Sequence, residues 1–109
     1  KTNDFGGAIK DFDHYIKLNP GNVNAYVNRG LSKNKFRDYS GAIADFDHAV
    51  KLNPGMADAY GGRGSSKMWI EDYKGAVADW KKAVELNPRF QPLLQPLIDT
   101  AEAKMKERR

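Results

Sequence analysis

The fold of this chain is decided by KLNP at residues 51–54, a phrase that returns twice in a sequence of 109 residues. KLNP also occupies residues 17–20 and ELNP residues 85–88, so that consecutive prolines of the phrase lie 34 residues apart. The similarity extends beyond this phrase. Residues 23–56 align without a gap on residues 57–90, and 17 of the 34 positions are identical. A fixed period of this length is typical of proteins built from stacked repeats.

Each unit of the repeat is predicted to form two helices. In residues 23–56, Tyr26, Gly30 and Lys33 at helical spacing indicate a first helix from Asn24 to about Lys35. An apolar stripe indicates a second helix over about 40–52. Asp38 is the expected N-cap of the second helix. Asn53 is expected to turn the chain in a left-handed conformation before the proline, which cannot continue the helix.

Small and aromatic residues recur at matching positions of the units. Gly30 and Gly64 fall in the middle of predicted helices, where glycine costs about 1 kcal/mol relative to alanine. A costly residue repeated at the same place indicates that a neighbouring helix crosses there. Phe12, Phe46 and Trp80 are expected to fill the space between the layers.

With this period, the helix–turn–helix unit resembles the tetratricopeptide repeat. The residues that carry the resemblance are Tyr26, Gly30, Tyr39, Ala42, Phe46, Ala49 and Pro54 in the first full unit, and Tyr60, Gly64, Tyr73, Ala76, Trp80, Ala83 and Pro88 in the second. The resemblance implies an all-α fold in which antiparallel helix hairpins stack as a right-handed α-solenoid. It also implies that the first helix of each unit lines a concave groove.

The whole chain, residues 1–109, is predicted to be one domain of this type. Residues 3–22 would be a half repeat with a second helix only, and 23–56 and 57–90 two full repeats. Residues 91–109 would form a C-terminal capping helix, in which Pro96 either kinks the helix or marks a later start.

Both full repeats carry an arginine at a position where the family pattern has an apolar residue. The family often has leucine where this chain has Arg29 and Arg63. Because an unpaired buried charge is very costly, we expect a ladder of ion pairs with the recurring aspartates of the second helices. Arg29 would pair with Asp45 or Asp11, and Arg63 with Asp79 or Asp45; the alternative is exposed charges that never meet.

The resemblance places a peptide or a partner helix in the groove. The predicted lining residues are Asn24, Val27, Asn28, Leu31, Asn34, Lys35, Asp58, Gly61, Gly62, Ser65, Met68 and Trp69. Asn28 matches an asparagine that often bonds to a bound peptide's backbone in the family. Met68 and Trp69 are candidates to anchor an apolar side chain of the ligand, whereas the alternative for Trp69 is packing against the C-terminal helix.

The basic clamp of the chaperone-binding members is not visible in this sequence. Asp58 and Gly62 stand where those members carry basic residues, so binding of an acidic chaperone tail is not expected. The N-terminal half repeat offers a second hypothesis, self-assembly into dimers or arrays. Its apolar face would be partly uncovered and consists of Phe5, Ile9, Phe12 and Ile16. Either the native protein continues upstream of Lys1 and covers this face, or the face docks on another copy.

The composition and the motifs of the chain argue against several classes of function. The chain has no cysteine, a net charge of +4, and no apolar run as long as a membrane-spanning helix needs. His14 and His48 lie one repeat apart, too far to share a metal ion, and no catalytic motif is present. We therefore predict a non-enzymatic protein-interaction scaffold without metal or cofactor, and RNA binding is disfavoured because the groove lacks a continuous basic stripe.

Overall fold

The computed structural model describes residues 4–108, which form six α-helices and one short 3-10 turn. The helices are α1 (Phe5–Leu18), α2 (Val23–Lys35), α3 (Tyr39–Leu52), α4 (Ala57–Trp69), α5 (Tyr73–Leu86) and α6 (Gln91–Glu107), with the 3-10 turn at Pro88–Phe90. Each helix packs against the next along the chain, and α2 also contacts α4. The predicted all-α solenoid of stacked helix hairpins is confirmed.

Three of the helices, α1, α3 and α5, begin at a capping aspartate. Asp38 accepts a hydrogen bond through Oδ1 from the amide of Gly41 at 3.0 Å, which satisfies one of the free amides of the first turn of α3. A Cβ on Gly41 would collide with this carboxylate. The same contact occurs at the start of α1 and of α5, between Asp4 and Gly7 and between Asp72 and Gly75.

In each full repeat, the residue with a left-handed backbone conformation lies between the two helices. Arg37 has a φ of 70° and Glu71 a φ of 67°. Arg37 follows the end of α2, where the amide of Asp38 donates to the carbonyl of Lys33 at 2.8 Å and closes the helix. The prediction of a left-handed Asn53 is wrong, because this residue is extended with a φ of −144°.

Glycine permits the close approach of helices that the sequence indicated. A Cβ on Gly30 would lie 2.8 Å from the ring of Phe46, and a Cβ on Gly64 would lie 2.6 Å from Nε1 of Trp80. Phe46 and Trp80 are buried in two separate core clusters, one for each full repeat. Each mid-helix glycine therefore makes room for the aromatic ring of the following helix.

The structure tests the predictions for the two terminal helices. The face of α1 is partly uncovered as expected, because Phe5, Ile9 and Phe12 are half-buried, whereas Ile16 is buried in the first core cluster. At the other end, α6 runs without a break through Pro96, so the alternative of a later helix start is wrong. Between residues 4 and 108, no helix combines the length and the apolar character needed to cross a bilayer.

We expect Ala42→Leu to lower the free energy of unfolding by about 1–3 kcal/mol, because Ala42 is fully buried in the first core cluster and the larger side chain overpacks it. Ala44 is exposed on the same helix, and Ala44→Leu is the matched control with little expected effect. Urea denaturation measures both values. Equal stability of the two variants would contradict the packing described above.

We expect Arg37→Gly to raise the free energy of unfolding by about 0.5–1 kcal/mol, because glycine relieves the left-handed backbone at a smaller entropic cost. Arg37→Ala keeps the Cβ and serves as the control, with no gain expected. Thermal unfolding followed by circular dichroism compares the two variants with the parent chain. A gain in Arg37→Ala as large as that in Arg37→Gly would show that backbone strain is not the cause.

Candidate functional site

The first helices of the two full repeats and the C-terminal helix enclose an apolar groove. We call it the α2–α4–α6 groove; it has a volume of about 300 Å³ and is lined by Leu31, Asp58, Gly61, Gly62, Ser65, Phe90, Leu93, Leu94 and Leu97. Its apolar wall comes from α6, which turns one leucine-rich side toward α4. The floor comes from α4, where glycine and serine leave space.

Three leucines of the groove remain accessible to solvent. The exposed fraction is 39% for Leu31, 66% for Leu93 and 40% for Leu97. On α6, Leu94 and Ile98 are buried against α5 in the second core cluster, and this packing fixes the rotation of the helix. Leu93 and Leu97 are one helical turn apart on the neighbouring side, so both point away from the core.

A second recess continues the groove toward the C-terminal ends of α2 and α4. This Trp69 recess has a volume of about 650 Å³ and is lined by Leu31, Asn34, Lys35, Arg37, Tyr39, Ser65 and Trp69. Trp69 is 68% exposed and stacks on Tyr39, with ring centroids 5.8 Å apart and an interplanar angle of 8°. The recess and the groove share Leu31 and Ser65, so they form one continuous surface.

A polar link between α2 and α4 supports this surface from below. The side-chain amide of Asn34 donates to the carbonyl of Gly62 at 3.3 Å, and the hydroxyl of Ser66 donates to Oδ1 of Asn34 at 2.6 Å. The indole Nε1 of Trp80 donates to the carbonyl of Gly61 at 3.1 Å. The amide of Asn34 is therefore engaged within the protein, although its residue borders the recess.

The structure separates the predicted groove residues into different places. The α2–α4–α6 groove and the Trp69 recess bring together Leu31, Asn34, Lys35, Asp58, Gly61, Ser65 and Trp69. Asn24 and Asn28 lie elsewhere, in a cavity of about 410 Å³ between α1 and α2 that we call the N-terminal cavity. It is lined by Asp11, Phe12, Tyr15, Asn22, Asn24, Ala25 and Asn28.

Gly62 lines the groove as predicted, through its backbone, and a Cβ there would lie 2.5 Å from the ring of Phe46. Two other predicted lining residues need correction. Val27 is buried in the first core cluster, so its side chain does not face the groove. Met68 packs against the second core cluster, whereas its neighbour Trp69 stacks on Tyr39.

The sequence prediction missed the contribution of α6. Leu93 and Leu97 were not among the predicted lining residues, and Phe90 of the preceding 3-10 turn also borders the groove. The signal was present, because Leu94, Ile98 and Ala101 already supply a complete apolar stripe for packing on α5. Leucines outside such a stripe indicate an apolar surface that the fold itself does not bury.

Ion pairs hold the lining helices against the layer behind them. Arg29 donates from Nε and Nη2 to the carboxylate of Asp45 at 2.9 and 2.6 Å, and from Nη1 to Asp13 at 2.8 Å. Lys33 lies 3.3 Å from the same Asp45 carboxylate. The same arrangement occurs in the next repeat. Arg63 and Lys67 both pair with Asp79, and Arg63 also pairs with Asp47.

The predicted ladder of Arg–Asp pairs is confirmed, since Arg29 pairs with Asp45 and Arg63 with Asp79. The structure adds Asp13 as a second partner of Arg29, whereas the alternative partner Asp11 does not pair with it. The hydrogen bond to Asp45 holds the pKa of the Arg29 guanidinium above its usual value, against the lowering effect of burial. The bond to Asp79 raises the pKa of Arg63 in the same way.

The histidines and carboxylates form no metal site in the described residues. His48 stacks on Tyr26 with ring centroids 4.2 Å apart. Within residues 4–108, no group of three histidine, cysteine, aspartate or glutamate side chains is placed to hold a metal ion.

Comparison with known proteins identifies the repeat. The family model described as the tetratricopeptide repeat matches residues 23–56. The tetratricopeptide domain of Arabidopsis OM64 is 25% identical, with a TM-score of 0.82 over 96% of this chain and 83% of that domain. No curated protein matches the chain.

Two further solved structures of this fold are complexes. The first such domain of Spaghetti (RPAP3), bound to the HSP90 peptide SRMEEVD, is 21% identical with a TM-score of 0.88, covering 94% of this chain and 80% of that one. The TPR2B domain of yeast Sti1, in its pHsp70 complex, is 23% identical with a TM-score of 0.80, covering 97% and 86%. The matched model supports the predicted tetratricopeptide assignment for residues 23–56, and the solved structures show that the chain shares the fold of tetratricopeptide domains.

We expect Asp45→Asn to lower the free energy of unfolding by about 3 kcal/mol or more, because it removes the buried carboxylate that Arg29 and Lys33 share and leaves Arg29 only the exposed Asp13. Asp13→Asn is the matched control: Asp13 binds the same guanidinium, but its side chain is 53% exposed against 5% for Asp45. We expect a loss below about 1 kcal/mol for the control. Urea denaturation that gave equal losses for both variants would contradict the structural role of the buried pair.

Proposed function

We propose that this chain is a non-enzymatic scaffold that binds an apolar peptide or partner helix in the α2–α4–α6 groove. The observation that carries the proposal is the convergence of exposed Leu31, Leu93 and Leu97 on one groove of about 300 Å³. Apolar side chains left in contact with water on a concave surface are typical of a binding site for an apolar ligand. The solved relatives that contain peptides support the general class of function.

The charges at the rim favour one orientation of the ligand. Lys35 and Arg37 border the Trp69 recess, while Asp58 borders the opposite part of the surface. A ligand with an acidic residue near the recess and apolar residues over the leucines would match both features. Trp69 would then cover an apolar or aromatic side chain of the ligand, because an exposed indole offers a large apolar area at a small entropic cost.

The ligand we propose differs from the acidic chaperone tails of the solved relatives. Asp58 places a negative charge in the groove, and Gly62 offers no side chain there. Both residues stand where the resemblance implies basic residues in chaperone-binding members. We therefore propose recognition through the leucines of α6 and through Trp69, with the basic rim in a secondary role.

The experiment uses peptides selected from a random display library against the chain. We expect Leu93→Glu and Leu97→Glu each to weaken binding about tenfold or more, because anchor residues at the centre of an interface dominate its energy. Leu18→Glu is the matched control, since Leu18 is 69% exposed on α1, away from the groove. Fluorescence titration of Trp69 reports binding, because the other tryptophan, Trp80, is buried.

Asn28→Ala separates the groove from the N-terminal cavity. Because Asn28 lies in that cavity, its replacement is expected to leave binding in the α2–α4–α6 groove unchanged. Selected peptides that bind the leucine variants as well as the parent chain would contradict the proposed groove.

A further inference from the structure

The polar groups along the α2–α4–α6 groove and the Trp69 recess are already bonded within the chain. The amide of Asn34 donates to the carbonyl of Gly62, and its Oδ1 accepts from the hydroxyl of Ser66. The hydroxyl of Ser65 donates to the carbonyl of Gly61 at 3.3 Å. Between its charged ends, this surface therefore offers a ligand few hydrogen-bonding groups.

This lack of bonding groups selects the conformation of the ligand. An extended peptide would bury backbone N–H and C=O groups against the surface without partners, which is costly. An α-helix satisfies these groups within itself and presents only side chains to the leucines. Asn28, the residue expected to bond a peptide's backbone, lies in the N-terminal cavity and not on this surface. The surface therefore favours a helix over an extended chain.

Charged side chains of opposite sign mark the two ends of the surface. Lys35 and Arg37 border the Trp69 recess, and Asp58, in the first turn of α4, borders the groove. All three are exposed, and none of them forms an ion pair within residues 4–108. Nζ of Lys35 approaches only the ring of Phe5, at 6.0 Å from its centroid. These charges are therefore open to a ligand.

The length of the surface corresponds to about three helical turns. Asp58 and Trp69 lie at opposite ends of α4, eleven residues apart, which is about 16 Å along the helix. On a ligand helix, positions i, i+4, i+7 and i+11 form one stripe of the same length. Charged residues at i and i+11, with apolar residues at i+4 and i+7, therefore match the two charged ends and the apolar middle.

The direction of the ligand helix follows from the same charges. Lys35 and Trp69 are the last residues of α2 and α4, so both helices end at the recess. A ligand acid at the recess and a ligand base at Asp58 suit the dipole of the ligand helix only when its first turn lies at the recess. The ligand helix then runs antiparallel to α2 and α4, and its dipole opposes theirs. The reverse direction would place each charge at the unfavourable end of its own helix.

We propose that the α2–α4–α6 groove and the Trp69 recess bind a helix of a partner protein that runs antiparallel to α2 and α4, with an acidic residue at i, apolar residues at i+4 and i+7, and a basic residue at i+11. Lys35 and Arg37 pair with the acidic residue, and Asp58 pairs with the basic one. Trp69 lies against the apolar residue at i+4, and the leucines of α6 contact the one at i+7. The inference rests on the proposed function, because it names the ligand of the same groove.

A pair of peptides tests the charges and the direction. Helical peptides of about four turns, with the charged residues of the stripe fixed and i+4 and i+7 randomised, are selected by display against the chain. The best binder is then remade with its acidic and basic residues exchanged. We expect the exchanged peptide to bind about tenfold or more weakly by fluorescence titration of Trp69, because like charges then meet at both ends. Equal binding of the two peptides would overturn the proposal.

Reversing the charges of the chain should reverse the preference between the two peptides. The triple variant carries Lys35→Glu, Arg37→Glu and Asp58→Lys. Glutamate is compatible with the left-handed backbone of Arg37, because Glu71 adopts it in the next repeat. We expect this variant to bind the exchanged peptide more tightly than the selected one. An unchanged preference would overturn the proposal.

The matched control reverses three exposed charges outside the surface, one in each copy of the KLNP and ELNP phrase. Its substitutions are Lys17→Glu, Lys51→Glu and Glu85→Lys. The net change of charge is the same as in the triple variant, and we expect the preference of the parent chain to be kept. A reversal in the control as well would mean that the net charge of the chain, and not the ends of the groove, selects the peptide, which would overturn the proposal.

The helical conformation has a separate test. Proline at i+6 of the selected peptide breaks the helix, and this position faces away from the stripe, so no contact with the chain is removed. We expect binding to weaken about tenfold or more, whereas a hydrocarbon staple between i+2 and i+6 should strengthen it by fixing the bound conformation in advance. Equal binding of the proline and stapled peptides would mean that the ligand is extended, and would overturn the proposal.

Failure of this inference is distinguishable from failure of the proposed function. Leu93→Glu and Leu97→Glu weaken any ligand of the groove, whether it is helical or extended. If these variants weaken binding while the charge exchange and the proline have no effect, the groove stands and the helix proposal is wrong. If the selection gives no binder, or if its binders do not respond to the leucine variants, both proposals are wrong.

Discussion

The structure depends on one contact between neighbouring helices, in which an arginine and a glycine face an aspartate and an aromatic ring. Arg29 and Gly30 meet Asp45 and Phe46 across the first repeat. The glycine brings the helices close enough for the ring to be fully buried, and this closeness brings the guanidinium into contact with a carboxylate that water no longer reaches. Packing and charge pairing are therefore parts of a single geometric requirement.

The same contact also determines which residues border the α2–α4–α6 groove. When Arg29 and Gly30 face α3, the next residue, Leu31, is turned toward the opposite side of α2, where it borders the groove. On α6, the positions of arginine and glycine are occupied by Leu97 and Ile98. Ile98 fills the core against α5, and Leu97 adds apolar area to the groove in place of a charge. On α6, these positions therefore form part of the core and of the groove wall, and not a charge-paired contact.

The repeat could be predicted from the sequence because its information is periodic. Two helices per unit, the caps at aspartate, the glycine–aromatic contacts and the Arg29–Asp45 pair all follow from residues that recur at one spacing. The left-handed Arg37 and Glu71 could not be found in this way, since neither residue type favours that conformation and the surrounding turn imposes it. Met68 and Trp69 show the same limit: both are apolar and adjacent, and only the rotation of α4 decides that one packs inside and the other outside.

The two ends of the array are not equivalent in their chemistry. At α1, the acceptor half of the contact is present, because Asp11 and Phe12 keep the identities of their buried counterparts. At α6, the donor half has been replaced by Leu97, Ile98 and Ala101, so this helix cannot make the same contact with another Asp–aromatic pair. In a solenoid held together by nearest-neighbour contacts, α6 therefore packs on α5 through apolar side chains at the positions where α2 and α4 use a charge pair and a glycine.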